Sequence, residues 1–92
     1  MDVTAETLRL AWMLLTNERG RQPDFRSIGV SRTLIYGTIL DGNNYLPFTV
    51  NPLTRTAKVH AEASDRCFNY AVLAAAQWAN DIEEGDRENP HR

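Results

Sequence analysis

Two turn signals bracket one short apolar run, and they constrain this chain more than any other feature. Asp41-Gly42-Asn43-Asn44 consists of residues that tolerate positive φ. Asn51-Pro52-Leu53-Thr54 repeats the signal beyond Tyr45–Val50. Chain caught between two tight turns runs out and back, so Arg32–Leu40, Tyr45–Val50 and Arg55–Ala61 are expected as a three-stranded antiparallel meander. Pro47 inside the middle strand favours an edge or a bulge. The period-2 rule puts Leu46, Phe48 and Val50 on one face with Ala57, Val59 and Ala61. Tyr45, Thr49, Thr56, Lys58 and His60 then share the other. The first strand obeys no such division, because Thr33/Ile35/Ile39 and Leu34/Tyr36/Leu40 are both apolar sets. One sheet face therefore carries more apolar surface than solvent exposure explains.

A helix is expected on each side of this meander. In the first, Thr4 to Arg19, Leu8, Ala11, Trp12 and Leu15 fall at helical spacing, with Leu10, Met13 and Leu14 widening the stripe. Asp2 or Thr4 caps its start, Glu6 suits the positive first turn, and Gly20 supplies a left-handed stop. The second helix runs from Ser64, a capping residue, to Glu84, with Gly85 ending it. Phe68, Ala71, Val72, Ala75, Ala79 and Ile82 form its stripe, and the small alanines permit close approach. Between the first helix and the sheet, residues 20–31 show neither period. Pro23 and two glycines read as a loop, with Phe25, Ile28 and Val30 folded back on the core.

The expected class is α+β, as a two-layer α-β-β-β-α domain with both helices on one face of the sheet. Residues 1–85 form that single domain, and 86–92 a polar C-terminal tail. Ninety-two residues with 42% hydrophobic content and a net charge of −2 suit one small folded unit rather than a disordered chain. One cysteine excludes a disulfide framework and fits a reducing, cytoplasmic setting. No apolar run spans a membrane, and Asp2 and Glu6 stand where a signal peptide carries lysines.

The net charge conceals a segregation. Residues 19–58 hold six bases and two acids, whereas residues 59–92 hold three bases and seven acids. Arg19, Arg21, Arg26 and Arg32 cluster in and beside the loop, and Arg55 and Lys58 follow in the sheet. Tyr36, Tyr45, Lys58 and His60 form a candidate aromatic–basic platform of the kind that stacks bases or serves as a protein hot spot. Asp81, Glu83 and Glu84 crowd a helix C-terminus, where the helix dipole disfavours negative charge. These twelve residues are the candidate partner-binding set. His60 and Cys67 invite a nucleophile–base reading, yet no orienting group or oxyanion site stands at a fixed spacing. A lone cysteine at an amphipathic helix start reads instead as a small core residue. His60 and His91 match no metal-ligand spacing. No catalytic residue, metal or cofactor is therefore expected.

The helix–strand–strand–strand–helix order, with Tyr70-Ala71-Val72-Leu73-Ala74-Ala75-Ala76 in the last helix, resembles the double-stranded-RNA-binding domain. That family starts its last helix with lysines that touch phosphates; here the stretch is Ser64-Asp65-Arg66-Cys67-Phe68, so the likeness is one of topology. In size, layout and want of a catalytic constellation the chain also resembles small phage-encoded inhibitors, anti-CRISPR proteins among them. That resemblance implies stoichiometric binding to a crRNA-guided surveillance complex or nuclease in the host cytoplasm, blocking target-DNA access; the expected state is a monomer or homodimer. The alternative is an RNA or single-stranded DNA binding module using the arginines and Lys58.

Overall fold

The computed structural model describes residues 3–88. Helix α1 (Ala5–Arg19) leads into strands β1 (Phe25–Val30), β2 (Ile35–Asp41), β3 (Asn44–Asn51) and β4 (Thr56–Val59). A short 3-10 turn, Ala61–Ala63, precedes helix α2 (Phe68–Glu88). The class is α+β. The sheet has four strands rather than three, in the order β1-β2-β3-β4 with every neighbour antiparallel.

The added strand is β1, inside the stretch expected as loop. Phe25 pairs with Ile39 and Ser27 with Thr38, so Arg26 is an extra residue, a β-bulge. Phe25, Ile28 and Val30 all pack toward one core, although their positions have mixed parity. The bulge resets the alternation, and a period-2 test along the sequence therefore misses the strand. Gly37 makes the close β1–β2 pairing possible. A Cβ there would stand 2.1 Å from the Ser27 carbonyl oxygen.

The expected turns are present. Gly42, φ +63, occupies the first central position of the β2–β3 hairpin, where a II′ turn requires it. In the β3–β4 turn, Asn51 Oδ1 accepts the N–H groups of Leu53 (3.0 Å) and Thr54 (3.3 Å). Arg55 there adopts φ +56. The α1 ends also match. Thr4 Oγ1 accepts the Thr7 N–H, and Gly20, φ +74, donates its N–H to the Thr16 carbonyl at 2.8 Å.

Both ends of α2 differ from expectation. Residues after β4 form the 3-10 turn, and Asp65 then bridges backbone to backbone with Tyr45 on β3. The Ser64 N–H donates to the Ala61 carbonyl and the Asp65 N–H to Tyr45 of β3, so Ser64 starts no helix. Asp65 Oδ1 accepts the Cys67 N–H at 2.7 Å, one turn ahead of the helix proper. Gly85 does not end α2, since an interior glycine costs only about 1 kcal/mol against alanine. Residues 86–88 belong to α2 rather than to a tail, and 89–92 lie outside the described residues.

The helices pack against alternate residues of the same strands. Ala11 and Leu15 of α1 join Ile35, Ile39, Leu46, Phe48 and Val50 in the main core, where Phe25 meets Phe48 edge-on at 5.5 Å. The α2 side chains meet the intervening positions: Phe68 packs edge-on against Tyr45 at 5.3 Å, and Trp78 stacks on His60 at 4.3 Å. Ala71, Ala75 and Ala79 are buried, as are Thr38, Pro47 and Thr49. Successive strand side chains point to opposite faces, so α1 and α2 cover opposite faces of the sheet. The expected packing of both helices on one face is corrected accordingly. The double apolar pattern of β2 has its cause here, because that strand is covered on both sides.

Candidate functional site

The expected aromatic–basic platform lies beneath α2. His60 is fully buried. Its Nε2 hydrogen-bonds Thr49 Oγ1 at 2.9 Å, while Nδ1 has no hydrogen-bond partner and faces Glu62 Oε1 at 3.7 Å. Burial lowers the His60 pKa from its ordinary 6.5; the Lys58 charge adds to this, and Glu62 opposes it. Tyr45 is half-buried against Phe68, and Tyr36 lies across Gly29 of β1. Lys58 alone of the four is exposed, with Nζ 5.9 Å from the centre of the Trp78 ring. As an open surface the platform does not form.

The arginines are largely engaged within the molecule. Arg19 and Arg21 both donate to Asp41 Oδ2, at 3.2 and 3.0 Å, joining the end of α1 to the β2–β3 turn. Arg26, on the bulge, donates to Asp24 at 3.0 Å, and that hydrogen bond raises its pKa. Arg32 pairs with Glu84 at 3.6 Å. Solvent screens such surface pairs, so each adds little to stability. Their three carboxylates offset three of the four charges, which weakens the field an arginine cluster would project. Arg55 sits exposed at its positive-φ turn position.

The acidic set divides. Glu83 is buried and structural: it accepts the Thr33 N–H at 2.7 Å, the Thr33 hydroxyl at 2.8 Å, and the Ser31 hydroxyl. Burial pushes its pKa up, but those hydrogen bonds and the Arg32 charge outweigh it, and the net direction is down. Glu83 therefore clasps the β1–β2 turn to α2. Asp81 is exposed and accepts from Gln77 at 2.8 Å. Cys67, expected in the core, is exposed at the start of α2. The His60 ring nitrogens face Thr49 and Glu62, so the structure does not assemble a Cys67–His60 pair.

Two features escaped the sequence reading. Tyr70 and Leu73, each 65% exposed, stand on the outer side of α2. Their signal was present, since both fall off the buried stripe of that helix. A cleft of about 330 Å³ opens between α2 and the β3–β4 ribbon, lined by Leu34, Thr49, Asn51, Thr56, Ala57, Lys58 and Ile82. Among the described residues no cluster of His, Cys, Asp and Glu could hold a metal ion, and no helix is long and apolar enough to cross a membrane. No family model, curated protein or solved structure matches this chain.

Proposed function

We propose that the chain is a small non-enzymatic inhibitor or adaptor that docks on another protein through the outer face of α2. The exposed pair Tyr70 and Leu73 carries this reading. Its spacing is that of successive anchors on a helix presented to a groove, and tyrosine is enriched among residues that dominate binding energy. Gln77 and Asp81 follow Leu73 along the same side of α2. The patch thus has an apolar centre and a polar end. The specific partner proposed is a crRNA-guided surveillance complex, a choice supported by the size and layout of the chain. Nucleic-acid binding has less support, because Arg19, Arg21, Arg26 and Arg32 already face carboxylates.

The test is target-DNA binding by purified crRNA-guided complexes, with and without this protein. Micromolar protein should abolish the DNA shift, and a Tyr70→Ala/Leu73→Ala variant should lose that effect while keeping its melting temperature. Inhibition retained by the double variant refutes the surface. No association with any complex refutes the partner. A gel shift of bare RNA or single-stranded DNA that weakens steeply with salt would favour the alternative.

A further inference from the structure

The cleft beside α2 has the chemistry of a ligand site distinct from the Tyr70–Leu73 face. Its volume of about 330 Å³ falls at the lower end of the range for small-molecule pockets. Leu34 and Ile82 supply the apolar side, and Asn51, Lys58, Thr49 and Thr56 supply the polar lining, with the Thr56 hydroxyl already bonded to Thr54. Asn51 has committed its carbonyl oxygen to the Leu53 and Thr54 N–H groups, which leaves its amide –NH₂ as the group it can offer. Thr49 is nearly fully buried, with its hydroxyl held by His60 Nε2. Lys58 completes the lining. Four other basic residues of the 19–58 segment face carboxylates, whereas the Lys58 ammonium has none among the described residues and lies over Trp78 instead. An apolar side with donors and one uncompensated cation matches a ligand with an anionic head and a short hydrocarbon body.

We infer that this cleft binds a small aliphatic carboxylate, with the acid group at Lys58 and Asn51 and the chain against Leu34 and Ile82. The carboxylate gains a charge-assisted contact with the Lys58 ammonium.

The experiment is an amide NMR titration of the intact protein with sodium hexanoate, 1-hexanol and hexylammonium at matched ionic strength. Hexanoate should give saturable shifts at Thr49, Asn51, Lys58 and Ile82, with a dissociation constant on the order of 1 mM for so small a ligand. Hexanol should bind roughly tenfold more weakly, the loss expected for one charged contact. Hexylammonium should leave those amides unmoved. Lys58→Gln should weaken hexanoate to the hexanol level, and Lys58→Arg should restore it. The dispersion of the same spectra reports whether each variant is folded. Non-saturating shifts, equal binding of hexanol, or unchanged affinity in folded Lys58→Gln would each overturn the inference. If Lys58→Gln fails to fold, the hexanol and hexylammonium arms with the original protein decide the matter.

Discussion

Phe48 and Thr49 are neighbours in β3, and both are buried, yet they face different interiors. Phe48 enters a layer of Ile35, Ile39, Leu46 and Val50 closed by Ala11 and Leu15 of α1. Thr49 enters a layer of Thr38, Pro47 and His60 closed by the alanines of α2. The first interior is held by removal of apolar area from water. The second offers little such area and depends on close helix approach, an aromatic stack and paired polar groups. One small sheet thus carries a face that tolerates imprecision and a face where each buried polar atom needs a partner.

The sharpest test of this contrast compares adjacent substitutions in urea unfolding. Phe48→Ala should lower stability by about 3–5 kcal/mol, through lost transfer energy and the cavity left behind. Thr49→Val keeps the shape of the side chain but strands His60 Nε2, and should cost about 1–3 kcal/mol. If Thr49→Val were neutral, the second face would be held by packing alone and the contrast would fail.

Glu83 extends the comparison to the edge of the α2 face. Glu83→Gln removes the charge that three donors converge on, and about 1–2 kcal/mol should be lost in the same assay. Its pH dependence has a fixed sign. The folded-state pKa lies below the ordinary 4.5, so the stabilisation is complete above 4.5 and disappears as pH falls through the folded value. In Glu83→Gln that acid-side slope should be shallower.

The same two faces explain what the sequence disclosed. Leu46, Phe48, Val50, Ala57 and Val59 announced the α1 face by simple alternation, and Thr4 and Gly20 announced the ends of α1. β1 stayed hidden because the Arg26 bulge shifts Phe25 out of step with Ile28 and Val30. The mixed pattern of β2 was visible, but its meaning, a strand covered on both sides, needed the fourth strand and the opposite placement of α2. His60 gave no local sign of burial. The pointer lay elsewhere, in Ala71, Ala75 and Ala79, whose small size lets a helix close over a polar sheet face. Among the candidate site residues, the hydrogen bonds of Glu83 were invisible in the sequence because its three donors lie some fifty residues away. Nothing in the local charge pattern distinguished it from Glu84.

Acid should act on the α2 face at milder pH through His60. Its folded-state pKa is below 6.5, so the folded form favours the neutral ring. Between the folded value and 6.5 the unfolded chain binds more protons, and stability therefore falls as pH drops below 6.5 and is constant with respect to this group above it. The ring's own surroundings set the sign: burial first, then Lys58, with Glu62 opposing. An NMR titration of the His60 ring should give a midpoint below 6.5. His60→Phe should flatten the stability profile in that window whatever it does to the overall level. A midpoint above 6.5 would mean that Glu62 at 3.7 Å dominates the site, and would reverse the expected slope.

The smallest effect should come from Arg55, which belongs to neither face. It is the one non-glycine residue with positive φ among those described, in the turn between β3 and β4. A β-carbon in that region costs roughly 1 kcal/mol, which glycine avoids. Glycine also enlarges the conformational freedom of the unfolded chain, which offsets part of the gain. Arg55→Gly should therefore raise stability by about 0.5 kcal/mol, a shift of a few degrees at most in melting temperature. The side chain is exposed and no ion pair of Arg55 is seen among the described residues, so no contact is lost in exchange. Because the turn lies outside both interiors, the gain should add to the losses in Phe48→Ala and in Thr49→Val without coupling. Coupling with Thr49→Val but not with Phe48→Ala would show that the turn sets the position of β4 against α2, and so belongs to the polar face after all.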